Sequence, residues 1–229
     1  MIHHDRHMVV VNKPSGLLMH RSRESQDETF LLQRLRDQIG QRVYPVHRLD
    51  RATSGLVVMA LDGNSASTLG QQFQQGLNDK RYLALVRGWT PLEFSIGAPL
   101  LSEERGWQSA RSHCLRLARA QLPWPVSRYP SFRVSLLQLS PLTGRRHQLR
   151  RHMNHLRHPI LGDTTHGCRH SNQRLRRQLP QVRLFLHAWQ LQLRHPTSGQ
   201  LLQLHCPPAE DFTAACQVFG WGSGLWQVP

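Results

Sequence analysis

Lysine is nearly absent from this chain. Of its 29 basic residues 27 are arginine, and only Lys13 and Lys80 are lysine. Acids are scarce too, 14 against 29, which leaves a net charge of +15 with every histidine neutral. No long apolar run exists: the longest, Leu56–Leu61, is six residues, where a bilayer span needs about 18–20. The opening MIHHDRHMVV has no apolar stretch of signal-peptide length, so no membrane partner and a cytoplasmic protein are expected. The four cysteines (Cys114, Cys168, Cys206, Cys216) form no CxxC. Neither a disulfide framework nor a zinc ribbon is expected, but free thiols in a reducing compartment.

What is present is a foldable chain. At 39% hydrophobic and 19% charged over 229 residues, it is too apolar for a disordered basic tail and long enough for one sizeable core. The expectation is a single domain over residues 1–229 acting as a monomer. Arginine enrichment by itself is equally the mark of a GC-rich coding sequence, so its distribution matters more than its total. Between Pro141 and Gln200 lie eleven Arg, eight His and one acid, Asp163, a stretch of charge +10. Like charges at that density repel, and a polyanion relieves them; nucleic acid is the commonest one in a cytoplasm. Arginine's planar fork also suits phosphate and stacks on bases.

Periodicity divides the chain into short elements. Met8–Val11 reads as a strand closed by the turn Lys13–Gly16. Ser25 and Glu28 form a capping-box pattern before a helix carrying Phe30, Leu31, Leu35 and Ile39 that stops at Gly40. Val43–Val46 is a strand, His47–Gly55 a polar loop, and Leu56–Leu61 a fully buried strand. Ala66, Leu69 and Phe73 mark a second helix stopped by Gly76, and Lys80–Gly88 a further strand. Residues 91–130, broken by prolines and without a clear period, predict an irregular, partly β excursion. Phe132–Leu139 is a strand, and a helix follows Gly144 to about Arg157, ended by His158-Pro159. Arg183–Arg194 and Gln200–His205 flank the turn His195–Gly199 as a hairpin, and Asp211–Phe219 is a weak last helix. The fold class is α+β, with strands outnumbering helices.

The most informative segment is His47-Arg48-Leu49-Asp50-Arg51-Ala52-Thr53-Ser54-Gly55. Asp50 lies between two cations that favour its ionised form. A plain salt bridge fixing the loop accounts for one Asp among arginines. A surface built for phosphate, however, excludes carboxylates unless one has a task. A carboxylate oriented by the neighbouring hydroxyls and glycine is a competent nucleophile toward a sugar carbon. The loop offers no second carboxylate as proton donor, which disfavours simple glycoside hydrolysis.

HRLDRATSG resembles the HRLDxxTSG motif of the RluA/RsuA-type pseudouridine synthases, with all seven specified positions present. Further matches follow in order: Asn12-Lys13-Pro14-Ser15-Gly16, Lys80-Arg81-Tyr82, Thr143–Arg150, and His158-Pro159-Ile160-Leu161-Gly162-Asp163 with His166-Gly167. The resemblance implies the pseudouridine synthase α+β fold, a mixed, largely antiparallel sheet with flanking helices and a basic RNA-binding cleft, without an N-terminal S4-type domain. It implies isomerisation of uridine to pseudouridine in RNA, with Asp50 as nucleophile, Tyr82 against the target base and Arg150 paired with the nucleophile. Arg48 matches a position that holds the target nucleotide out of its stack. Arg51, Arg145, Arg146, His147, Gln148 and Arg151 are expected on the RNA face.

No cofactor or metal is implied, since the substrate and product are isomers; His147, His152, His155 and His158 lack the partners of a metal site. Within the family, Arg145–Gly167 looks most like members that modify uridine 65 of tRNA. A 23S rRNA substrate and an RNA-binding protein without catalysis stand as alternatives.

Overall fold

A computed structural model describes residues 1–20 and 29–226. In chain order the elements are β1 (His3–His4), β2 (Met8–Lys13), α1 (Leu31–Ile39), β3 (Tyr44–Pro45), β4 (Ser54–Ala60), α2 (Gly63–Gln75) and β5 (Asp79–Arg87). They continue with β6 (Glu93–Ile96), β7 (Leu100–Ser102), β8 (Gly106–Gln108), β9 (Ser112–Leu122) and β10 (Phe132–Pro141). Then come α3 (Gln148–His155), α4 (Arg169–Arg176), β11 (Leu186–Arg194), β12 (Leu201–His205) and α5 (Glu210–Val218). Two compact units result, Met1–Lys80 with Ala188–Cys206, and Arg81–His187 with Pro207–Pro229. The chain passes between them three times, within β5, within β11 and just after β12.

The first unit is a sheet in the order β1-β2-β4-β11, with β3 on β4 and β12 on β11. Its pairings β1–β2, β2–β4, β3–β4 and β11–β12 are antiparallel. All seven residues of β4 are buried, each large aliphatic contributing about 1.5–3 kcal/mol, so β4 fixes the register of its neighbours. Gly55 has φ +111°, and a Cβ there would stand 2.2 Å from the Ala188 carbonyl oxygen. Only glycine lets β4 approach β11 this closely. Helix α2 starts on Asp62, whose carboxylate accepts the Ser65 N–H at 2.8 Å, and stops on the left-handed Gly76, as the helix-stop pattern predicts.

The second unit is a sheet in the order β5-β10-β9-β6, antiparallel throughout, with β7 and β8 as a separate small hairpin. Leu83, Leu85, Leu136, Leu137 and Leu139 are wholly buried. Phe212 of α5 is buried edge-on against Phe185, with ring centroids 5.8 Å apart.

Several expectations change. Residues 91–130 hold four regular strands, β9 alone running eleven residues; its partly exposed positions hid the alternation. The helix expected right after Gly144 begins only at Gln148, because His147 takes a left-handed φ of 54°. Ser54 and Gly55 belong to β4 and not to the loop before it. Helix α4 had no sequence signal, since it buries only Ser171, Asn172 and Leu175. The capping box at Ser25 and Glu28 lies outside the described residues. No helix among the described residues is long and apolar enough to cross a membrane.

Candidate functional site

The loop before β4 is held from both sides. At its start His47 stacks on Phe73 of α2, ring centroids 4.2 Å apart, and its Nε2 accepts the Val58 N–H at 2.9 Å. That bond requires a neutral ring. Burial, assisted by the nearby Lys80 charge, pushes the His47 pKa down to about 3, so the ring stays an acceptor across the neutral range. Within the loop Leu49 is buried, and the Thr53 N–H closes a turn onto the Asp50 carbonyl at 3.1 Å. Asp50 itself is half-buried, while Arg48 and Arg51 are exposed.

The other side is a clasp formed by the Lys13–Gly16 turn. The Lys13 ammonium is fully buried and donates to the carbonyls of Pro14 (2.9 Å), Leu17 (2.8 Å) and Arg51 (3.0 Å). Gly16 N–H also donates to the Arg51 carbonyl at 2.9 Å, and Arg51 Nε returns a bond to the Gly16 carbonyl at 3.0 Å. Ser15 Oγ donates to the Ala52 carbonyl at 2.6 Å. Lys13 and Ser15 thus position the Asp50 loop. In the sequence the signal for this clasp is a lysine kept where nearly every other cation is arginine.

In the other unit Tyr82 is half-buried on β5, opposite Leu139 of β10. Arg150 is turned inward from α3 and 5% exposed, as the adjacent stripe of Leu149 and Met153 suggests. Its Nε and Nη2 donate to the two carboxylate oxygens of Asp163 at 2.7 and 2.8 Å. Asp163 is 2% exposed and its Oδ1 also accepts the N–H groups of Thr165 and His166, both at 2.9 Å. Burial opposes the charge of Asp163, but Arg150 and these N–H donors outweigh it and hold its pKa below the ordinary carboxylate value. Asn172 of α4 secures the same turn, donating to the Asp163 carbonyl and accepting the Gly162 N–H, each at 2.8 Å. Asp163 was missed as a site residue, although it is the lone acid in a 60-residue basic stretch.

The residues expected on the RNA face divide. Arg146 is exposed. Arg145 donates from Nε to the Ser109 carbonyl (3.0 Å), and Arg151 from Nη1 to the Leu101 carbonyl (3.0 Å). His147 shares a 3.0 Å hydrogen bond with His166, which braces its left-handed backbone. Gln148 is a correction. It is 4% exposed, donates to the Arg111 carbonyl and Ser112 Oγ, and accepts from Thr143 Oγ1 and Arg145 N–H. With both ends of its amide occupied it shapes the turn into α3 and faces no solvent. Among the described residues no group of three His, Cys, Asp or Glu is arranged to hold a metal ion, and all four cysteines are free thiols.

Comparison with known proteins gives a consistent result. The family model described as RNA pseudouridylate synthase matches residues 7–155. A Yersinia pestis protein named tRNA pseudouridine synthase C is 43% identical over 237 residues, covering 98% of this chain and 92% of that protein. A Pectobacterium carotovorum protein of the same name is 43% identical over 233 residues; it matches 96% of this chain, which spans 62% of that protein's length. In fold, the human RNA pseudouridylate synthase domain containing 4 aligns with a TM-score of 0.74 at 24% identity, covering 96% of this chain and 92% of its own.

Proposed function

The chain belongs to the RNA pseudouridylate synthase family, and on that premise we propose that it isomerises uridine to pseudouridine in tRNA, at uridine 65, in the cytoplasm. The reaction conserves every atom. The bond from the ribose anomeric carbon to N1 of uracil breaks, the base turns, and the same carbon bonds to C5. C5 gives up its proton and N1 takes one.

Asp50 is the nucleophile, or the group that otherwise assists detachment of uracil at the ribose. Arg150 is the guanidinium that pairs with this carboxylate and aims it, with Asp163 fixing the orientation of Arg150. Tyr82 offers a flat face to the base and a hydroxyl for proton transfer. Arg48, Arg51, Arg146 and Arg151 meet phosphates in a basic cleft, and Arg48 helps to hold the nucleotide extruded, since a stacked base shields its sugar carbon. The observation that carries the proposal is the pinning of the Asp50 loop: the carbonyls of Arg51 and Ala52, immediately after the acid, are both tied to the Lys13–Gly16 turn. A carboxylate on a merely solvated loop has no use for such a clasp.

The test is pseudouridine mapping by carbodiimide treatment and primer extension on total tRNA and rRNA, from cells with and without the protein. A stop in tRNA that disappears with the gene is expected. Asp50→Ala should abolish it, by at least about 10³-fold, while tRNA binding persists. Full activity in Asp50→Ala would end the nucleophile assignment, and a lost stop confined to 23S rRNA would move the substrate to rRNA.

A further inference from the structure

We infer that the outer end of the β9–β10 hairpin is a second RNA-docking surface, built of guanidinium groups stacked on aromatic rings. It would hold a part of the substrate RNA other than the reacting nucleotide. The inference rests on the RNA-modifying function proposed above.

Trp89, just past β5, is 39% exposed and anchored by its Nε1, which donates to the Ala120 carbonyl at 3.1 Å. Two arginines lie over its ring: the Cζ of Arg133 is 4.4 Å from the centroid and that of Arg119 is 4.9 Å. Both arginines are exposed on neighbouring strands. Arg133 Nε is steadied by Gln121 Oε1 at 2.9 Å. At the hairpin tip Arg128 covers Tyr129, which is 52% exposed, at 5.3 Å.

A guanidinium held over a ring face keeps N–H donors available at its edge; Arg128 spends one of its own on the Tyr129 hydroxyl, Nη2 to oxygen 3.2 Å. Stacking also orders a long side chain before any ligand arrives, which lowers the cost of binding. Among the described residues no carboxylate lies within ion-pair distance of Arg119, Arg128 or Arg133, whereas Arg150 and Arg183 each have one. Three unneutralised, pre-ordered forks complement phosphates, and planar forks with ring edges suit the backbone and bases of RNA together.

Register places this surface away from the chemistry. Tyr82 is opposite Leu139 on β10, and Arg133 is six residues further along that strand, on the order of 20 Å at about 3.4 Å per residue. None of Trp89, Arg119, Arg128 or Arg133 belongs to the motifs that carry the family resemblance.

The experiment is filter binding of an unmodified tRNA transcript between about 50 and 200 mM KCl. It compares wild type, Arg119→Gln/Arg133→Gln, Trp89→Leu and Asp50→Ala, with far-UV circular dichroism and thermal melting for each. The double variant should bind about tenfold more weakly, and the slope of log affinity against log salt should be shallower by one to two. In turnover the change should fall on KM and not on kcat. Trp89→Leu, which keeps both charges, should lose part of the affinity with its salt slope retained. An unchanged affinity and slope in the double variant overturns the docking surface, as does a loss seen only in melting temperature. If wild type and Asp50→Ala both fail to bind tRNA, the RNA function itself falls. If they bind and the double variant binds equally, the docking surface alone falls.

Discussion

Two buried cations hold the two halves of the proposed machinery, and they do so by different chemistry. In the first unit the Lys13 ammonium gathers three backbone carbonyls. In the second, the Arg150 guanidinium grips both oxygens of one carboxylate. A compact ammonium with three rotatable donors suits carbonyls converging from different directions, and a planar fork suits a planar acceptor pair. The first device fixes a backbone, that of the loop that carries Asp50. The second fixes a side chain. A chain that otherwise uses arginine for nearly every cation thus keeps lysine where the fork has the wrong shape. The other lysine, Lys80, flanks the same loop, and burial lowers its pKa.

Breaking the arginine corner should cost most. Asp163→Ala leaves a buried guanidinium without its carboxylate and two N–H groups without their acceptor, a loss of about 3–5 kcal/mol. Urea unfolding should report it, and Arg150→Lys should be damaging as well, because an ammonium cannot span both oxygens. At the other corner Lys13→Met takes the ammonium from three carbonyls, of which only that of Arg51 keeps a second donor, the Gly16 N–H, for about 2–4 kcal/mol in all. The sharper variant is Lys13→Arg, which keeps the charge. It should be nearly as unstable as Lys13→Met and should lose kcat. Wild-type stability and activity in Lys13→Arg would break the contrast between the two corners.

The same contrast explains what the amino-acid order disclosed. The Asp50 loop was legible because its chemistry is local: an acid between cations, then hydroxyls and a glycine. Strands β2 and β4 were legible because buried aliphatics run without interruption, and β5 because Lys80–Gly88 alternates. The clasp was not, because Lys13 and Arg51 meet across 38 positions and no periodicity links them. Asp163 was hidden likewise, its partner Arg150 being thirteen residues away beyond a helix end. Gln148 was expected on the RNA face because it stands in the motif stretch Thr143–Arg150, while its amide in fact closes an internal network. Helix α4 carries four arginines, counting Arg177 just past it, on a face with a single buried leucine, so its hydrophobic stripe is too thin to see.

A smaller effect separates the halves by pH. The folded pKa of His47, about 3, lies below its ordinary value of 6.5. Above 6.5 the ring is neutral in folded and unfolded chains alike, and its contribution is complete. As pH falls from 6.5 toward 3, the unfolded chain takes up a proton that the folded one refuses, so stability falls. Asp163, with its pKa lowered from 3.8, adds its own loss only once the unfolded carboxylate protonates, below about pH 4. Acid should therefore weaken the Asp50 loop's anchor first. His47→Gln, which keeps an acceptor for the Val58 N–H and removes the titration, should flatten the stability curve between pH 6.5 and 4.5. An unaltered slope there would reject His47 as the group responsible.

The mildest test addresses whether the clasp is cooperative. Ser15→Ala removes one hydrogen bond, to the half-buried Ala52 carbonyl, which water can replace; the global loss should be about 0.5–1.5 kcal/mol. Lys13 and Gly16 still hold the Arg51 carbonyl, so the loop should open locally without unfolding the unit. The Thr53 amide, which donates to the Asp50 carbonyl, is the reporter. Its hydrogen exchange should quicken several-fold in Ser15→Ala while amides in the centre of β4 keep their protection. Equal quickening in both places would mean that the clasp supports the whole sheet, and that the loop has no positioning device of its own.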